Sequence, residues 1–244
     1  LSCLLFDLAI EPLAAALRAS TLKGLEIPGL EERLIALLFA DDTTVFLSHE
    51  DKYEDLEVIL RTWCTAATAR FNTNKTECVP LGPKAYRDDL INTRRAQEDG
   101  TPLPPEVKIA PDGHAVRILG GWIGNDINDA NTWMVILDKA RARFDRWQRF
   151  FPTIKGRKIL IQVIVGGLTQ YLTMAQGMPK KVEQRFSKLV SDAFWQWKKP
   201  TINAETLKLP TEKGGMGILD IPARNEAIYL MWLKKLHGPR ASRP

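Results

Sequence analysis

The sequence predicts an α+β fold, a β-containing amino-terminal lobe followed by a helical, basic carboxyl-terminal lobe. Three observations predict it. Two apolar runs flank a pair of aspartates at 34–47, the pattern of a β-hairpin. From residue 133 onward apolar residues recur at helical spacing. The charge also changes sign: residues 1–132 carry 13 basic and 21 acidic side chains, net −8, whereas 133–244 carry 21 and 8, net +13. The organisation expected is 1–124 as one domain, with 82–114 as a loop or insertion, then a helical domain over 125–200 and a carboxyl-terminal region over 201–244.

Residues 4–18 have helical spacing around Ala14-Ala15-Ala16, interrupted by Pro12, and predict one helix with a kink allowed at the proline. The hairpin comes next. Residues 51–71 set Leu56, Ile59, Leu60, Trp63 and Ala67 on one face, with acidic residues in the first turn, and predict a second helix stopped by Asn72-Thr73-Asn74. A short strand is expected at 76–81, with Lys75 at its entrance. The 82–113 stretch is polar and holds five prolines, too many for a core element. Structure resumes at 115–123, where Gly120-Gly121 predicts a tight turn. Beyond it Trp133, Leu137, Ala140, Phe144, Trp147 and Phe151 alternate at steps of four and three, an apolar seam read as core packing, with Lys139, Arg141, Arg143, Arg146 and Arg149 off it. Further helices are expected at 158–174, 182–197 and 223–236, the last preceded by a turn at Gly214-Gly215-Met216-Gly217.

Of the 244 residues 45% are apolar, enough for real cores and too many for a disordered chain. No apolar run reaches the roughly 18 residues of a membrane span, and no signal peptide is visible, so a soluble, intracellular chain with no membrane partner is expected. The chain opens at Leu1 directly into an apolar segment, as if cut from something longer. Cys3, Cys64 and Cys78 have neither disulfide nor zinc spacing, and His49, His114 and His237 are scattered, so a histidine metal site is not expected. An excess of 13 positive charges in the second half suggests a polyanion-binding lobe; the alternative is a solvated helical surface.

Phe39-Ala40-Asp41-Asp42 is the segment most suggestive of chemistry. Two adjacent aspartates repel each other unless a divalent cation neutralises them. Mg²⁺ suits such a pair, taking a few carboxylates and completing its shell with water and substrate phosphates. A plain polar turn is the other reading. The sequence places Asp-Asp in a two-residue turn between the strands.

Several motifs together resemble the reverse transcriptases of non-LTR retrotransposons, over nearly the whole chain. Leu1-Ser2-Cys3-Leu4-Leu5-Phe6-Asp7-Leu8 looks like the family's Pro-Leu-Ser-Pro-x-Leu-Phe-Asn segment, with Cys3 in place of a proline. Phe39-Ala40-Asp41-Asp42 looks like its aromatic-x-Asp-Asp hairpin, and Asn74-Lys75-Thr76-Glu77 is similar to its Asn-x-x-Lys-Thr stretch. Residues 118–124 resemble the primer-contacting Leu-Gly turn. Trp147, Gly156-Arg157, Tyr171, Phe194-x-x-Trp197 and Gly-Gly-x-Gly-x-x-Asp look like the family's thumb and post-thumb region.

The resemblance implies a partial polymerase palm, a helix plus β-hairpin, followed by an α-helical thumb-like domain. It implies a magnesium-dependent (or Mn²⁺-dependent) RNA-directed DNA polymerase, a nucleotidyltransferase acting on a primer 3′ end, with an RNA template, a DNA primer duplex and deoxynucleotides as partners, in the nucleus for the full-length element. Asp41 and Asp42 would be the catalytic metal ligands. Phe39 and Ala40 would lie by the primer and nucleotide, Lys75 would be a general acid or charge stabiliser unless it is a solvated loop lysine, and Gly120 and Gly121 would admit the primer backbone. Lys155, Arg157, Lys158, Lys180 and Lys181 would grip nucleic acid. The family's third aspartate and its fingers lie upstream of the matching segment, so the two-ion site is expected to be incomplete in this chain and the chain alone to be inactive. A non-catalytic nucleic-acid-binding remnant and a helical protein-interaction domain are the rival expectations.

Overall fold

The computed structural model describes residues 2–28 and 33–237; Leu1, where the first family-like segment begins, lies outside them, and the side chains of Ser2, Cys3, Leu236 and His237 are not described. The fold is helix-rich with small sheets of two strands, an α+β architecture. It divides into two compact units, Leu1–Leu119 with Ile123–Ile127, and Gly120–Trp122 with Asn128–Pro244.

The first unit begins with helix α1 (Ser2–Ala19), which runs through Pro12. A proline cannot donate to the carbonyl four residues back, and one residue along from that carbonyl the Trp63 indole donates to the Ala9 oxygen at 3.2 Å. Strands β1 (Ala36–Phe39) and β2 (Asp42–Val45) pair antiparallel, Ala36 with Val45 and Phe39 with Asp42. Because directly opposed residues share a face, Ala36, Leu38, Thr43 and Val45 form the inner face and Leu37, Phe39, Asp42 and Thr44 the outer one. Ala36, Leu38 and Val45 pack against Ile10, Leu13, Leu17 and Leu56, with helix α2 (Tyr53–Ala67) closing the cluster. Leu13 and Leu17 are fully buried, so truncating either to Ala is expected to cost about 2–5 kcal/mol.

A buried carboxylate ties the hairpin to the end of α1. Asp51, 5% exposed, accepts the backbone N–H groups of Lys23 (2.7 Å), Gly24 (2.9 Å) and Ser48 (2.8 Å). Burial alone would push its pKa up, but the bonds from Lys23, Ser48 and Gly24 outweigh it and hold the group below its usual value.

The proline-rich segment, expected as a loop or an insertion at 82–114, is not a structureless loop. It contains helix α3 (Lys84–Thr93) and strand β4 (Lys108–Ile109), which pairs parallel with β3 (Glu77–Cys78), all that forms of the strand expected at 76–81. Leu90, Leu103, Val107 and Ala110 are buried. Two arginines hold it. Arg87 forks onto Asp112 at 2.9 and 2.7 Å, and Arg94, itself at φ 58°, donates to the carbonyls of Leu103 and Val107 at 3.2 and 2.7 Å. Strands β5 (Val116–Ile118) and β6 (Gly121–Ile123) form a hairpin whose turn is Leu119-Gly120, both at positive φ, one residue earlier than expected; Gly121 is already strand.

The second unit is a helical bundle. Asn128 caps helix α4 (Asp129–Gln148) by accepting from Ala130 N. Thr153 likewise caps α5 (Ile154–Ile161), which continues through a π-turn (Gln162–Gly166) into α6 (Gly167–Gln176). Helices α7 (Lys180–Phe194), α8 (Ala204–Lys208) and α9 (Ile221–His237) complete it. Trp133 and Phe186 meet edge to face at 6.0 Å in the core, which also includes Leu137, Phe144, Ile161, Val165, Leu172, Leu207, Ile218 and Ile221. Residues past 200 thus share the core of the helices before them. Gly215 permits this: a Cβ there would overlap the Leu209 carbonyl oxygen.

Two expectations are corrected in this unit. Trp133, Leu137, Ala140 and Phe144 are buried, but Trp147 and Phe151, the last members of the seam, are 47% and 84% exposed. Phe151 lies beyond the helix, which ends at Gln148, and Trp147 sits in its last turn. Secondly, the 23-residue helix Ile154–Gln176 is long and apolar enough to cross a bilayer by length and composition, contrary to the reading that no such run exists. Its Ile161, Ile164, Val165 and Leu172 belong to the unit's core, which is the other use of so apolar a helix.

Candidate metal-binding tip and nucleic-acid interface

In the first unit the turn residues are Ala40 and Asp41, and Asp42 opens β2, so the aspartates straddle the turn's end instead of filling it. Ala40 takes φ 51° and Asp41 does not have positive φ, the φ signs of a type II′ turn, where the first central residue is normally Gly. Both aspartates are exposed, and neither side chain has a hydrogen bond or ion pair among the described residues. On the inner face beside them, the buried Thr43 Oγ1 has no hydrogen-bond partner. Phe39 is 66% exposed on the same face as Asp42. A bare carboxylate pair on a rigid hairpin can take a hydrated hard cation without first breaking a salt bridge.

The donor set sets the limit of that site. Mg²⁺ is commonly held by one or two carboxylates plus substrate phosphates, and Asp41 with Asp42 fits that requirement for one ion. Among the described residues no group of three or more His, Cys, Asp or Glu side chains gathers to hold a metal. Lys75 ends a 3₁₀ turn (Thr73–Lys75) and is exposed.

In the second unit the basic candidates divide. Lys155, Lys180 and Lys181 are exposed. The last two occupy the first turn of α7, where the helix dipole disfavours cations, and neither is in an ion pair among the described residues. Arg157, expected to grip nucleic acid, is half-buried and donates to the carbonyls of Pro152 and Phe194, both at 3.0 Å, bracing α5 against the end of α7. Lys158 is half-buried as well, with its ammonium near Gly217. Sequence reading underused the surface of α4. Lys139, Arg141, Arg143, Arg146 and Arg149 are all exposed, and none is in an ion pair among the described residues. Gly120 sits against the Tyr171 ring, where an added Cβ would come within 3.1 Å; at its φ of 83° a side chain would also be strained.

Inside the bundle charges are internally used. Arg224 donates to Thr169 Oγ1 at 2.7 Å, and Asn225 donates to Glu183 at 3.0 Å; burial pulls the Arg224 pKa down.

No family model matches the chain, and no curated protein matches it either.

Proposed function

We propose that the chain is the palm and thumb portion of a retroelement reverse transcriptase, which grips primer–template duplex through its basic bundle and offers Asp41 and Asp42 to nucleotidyl transfer. What carries the reading is the hairpin tip: two exposed carboxylates without a partner among the described residues, next to an exposed aromatic ring, in a Phe-Ala-Asp-Asp sequence. Mg²⁺ bound there would supply the positive charge that the attacking and leaving oxygens of phosphoryl transfer require. The chain's own residues position. Asp41 and Asp42 hold negative charge at a fixed point, Phe39 offers a flat apolar surface to the primer end, and Lys75 offers a proton or a charge to departing pyrophosphate.

Titration of the isotope-labelled protein with Mn²⁺ tests the metal half of this reading. Paramagnetic broadening is expected at the amides of Ala40, Asp41, Asp42 and Thr43, and its loss in Asp41→Asn and Asp42→Asn. Broadening that ignores those substitutions overturns the site. Primer extension is expected of a longer chain that also brings the family's third aspartate, where Asp41→Asn abolishes it, and not of these 244 residues alone. Robust extension by the 244 residues would place the chemistry elsewhere.

A further inference from the structure

The corner between α4 and α5 has no role in the core. Phe150 and Phe151 are 71% and 84% exposed, and Trp147 stands half out of the surface with its ring centroid 5.7 Å from that of Phe150. Phe151 holds φ 46°, a region a bulky side chain enters at a cost. Strain and exposure at the same aromatic residue are not what core packing produces.

The charges around the corner say what the rings face. Lys139, Arg143 and Arg146 succeed one another on α4 at steps of four and three and share one stripe of the helix surface, and Phe150 follows in the turn just past the end of the helix, its N–H bonded to the Trp147 carbonyl at 3.1 Å. Arg149 and Lys155 flank the rings and are exposed; Asp145 is the acidic side chain nearest in sequence. Successive members of the stripe are separated by about one helical turn, roughly 5.4 Å, close to the phosphate repeat of an extended strand. A purely apolar partner would strand these charges, and a duplex would offer its rings no open base face except at an end.

We infer that this corner is a stacking platform for unpaired nucleotides: phosphates lie along Lys139, Arg143 and Arg146, and bases stack on Phe150 and Phe151. The inference rests on the nucleic-acid reading above and adds a single-stranded segment to the duplex as the bundle's ligand.

Binding of a labelled oligothymidylate of about 12 nucleotides and of a blunt duplex of the same length, measured by anisotropy, tests it. In Phe150→Ala/Phe151→Ala the single strand should bind about tenfold or more weakly, with the duplex affinity unchanged. Phe151→Gly guards against misfolding, since glycine accepts the left-handed backbone; it should melt no lower than the parent and still lose single-strand affinity. Unchanged single-strand binding in both variants, or equal loss on single strand and duplex, overturns the platform while leaving the duplex-gripping bundle standing. If the unaltered protein binds neither probe, the nucleic-acid reading fails, and the platform with it.

Discussion

Phe39 and Asp42 are paired across the first hairpin as the last residues before its turn, so an exposed aromatic ring and an exposed carboxylate share one face of β1 and β2. Ala40 makes that juxtaposition possible by turning the chain at φ 51°. Glycine suits this backbone better than alanine, and a β-branched residue suits it worst. Ala40→Gly is therefore expected to raise stability by up to about 1 kcal/mol and Ala40→Val to lower it by about 1–2 kcal/mol, read from urea denaturation midpoints.

Asp51 should be an acid-sensitive joint of the first unit. Its folded pKa lies below the usual 3.8, so the stability it contributes is fully present above that value and is lost as pH falls through the depressed one. Asp51→Asn, which keeps the shape and removes the charge, is expected to cost about 1–3 kcal/mol at pH 7. The difference between the two proteins should narrow progressively below about pH 4. A gap independent of pH would show that charge is not what holds the three N–H groups.

The bundle's grip on duplex should be electrostatic. If about six phosphates are neutralised, log affinity falls against log salt with a slope of roughly −5 on B-form DNA. Lys180→Ala/Lys181→Ala should lower that slope by up to about two, equally for all sequences. Salt-independent binding, or none at micromolar protein near physiological ionic strength, would favour a protein-interaction domain.

Arg157 should behave in the opposite way. Its guanidinium is spent on two carbonyls of its own unit, so Arg157→Ala is expected to destabilise by about 1–3 kcal/mol and to leave the salt slope alone. Arg157→Lys should recover little, because one ammonium does not reproduce the planar fork. Thermal melting and the duplex titration together separate the two roles.

The hairpin was legible because two β-prone runs flank a polar pair; its turn was misplaced by one residue because alanine carries no signal for positive φ. Leu119 hid the second turn in the same way, taking φ 48° where the glycines after it drew attention. In the proline-rich segment the buried Leu103, Val107 and Ala110 stand at steps of four and three, but Pro102, Pro104, Pro105 and Pro111 around them forbid the helix that spacing suggests. What organises them is long-range, the forks of Arg87 and Arg94. Trp147, in the last turn of α4, and Phe151, past its end, kept core spacing, and only the place where the helix stops decides that Phe151 faces water. The carboxylate pair was legible by residue type, whereas the internal engagement of Arg157 depends on carbonyls 5 and 37 residues away.

The π-turn at Gln162–Gly166 gives the long helix of the bundle an odd relation to chain length. Removing one residue there would restore regular i→i+4 bonding only by swinging α5 about 100° around the helix axis relative to α6, which would carry Ile161 out of the interior that Thr169 and Leu172 still face. Insertions and deletions among related sequences are thus expected to avoid this stretch.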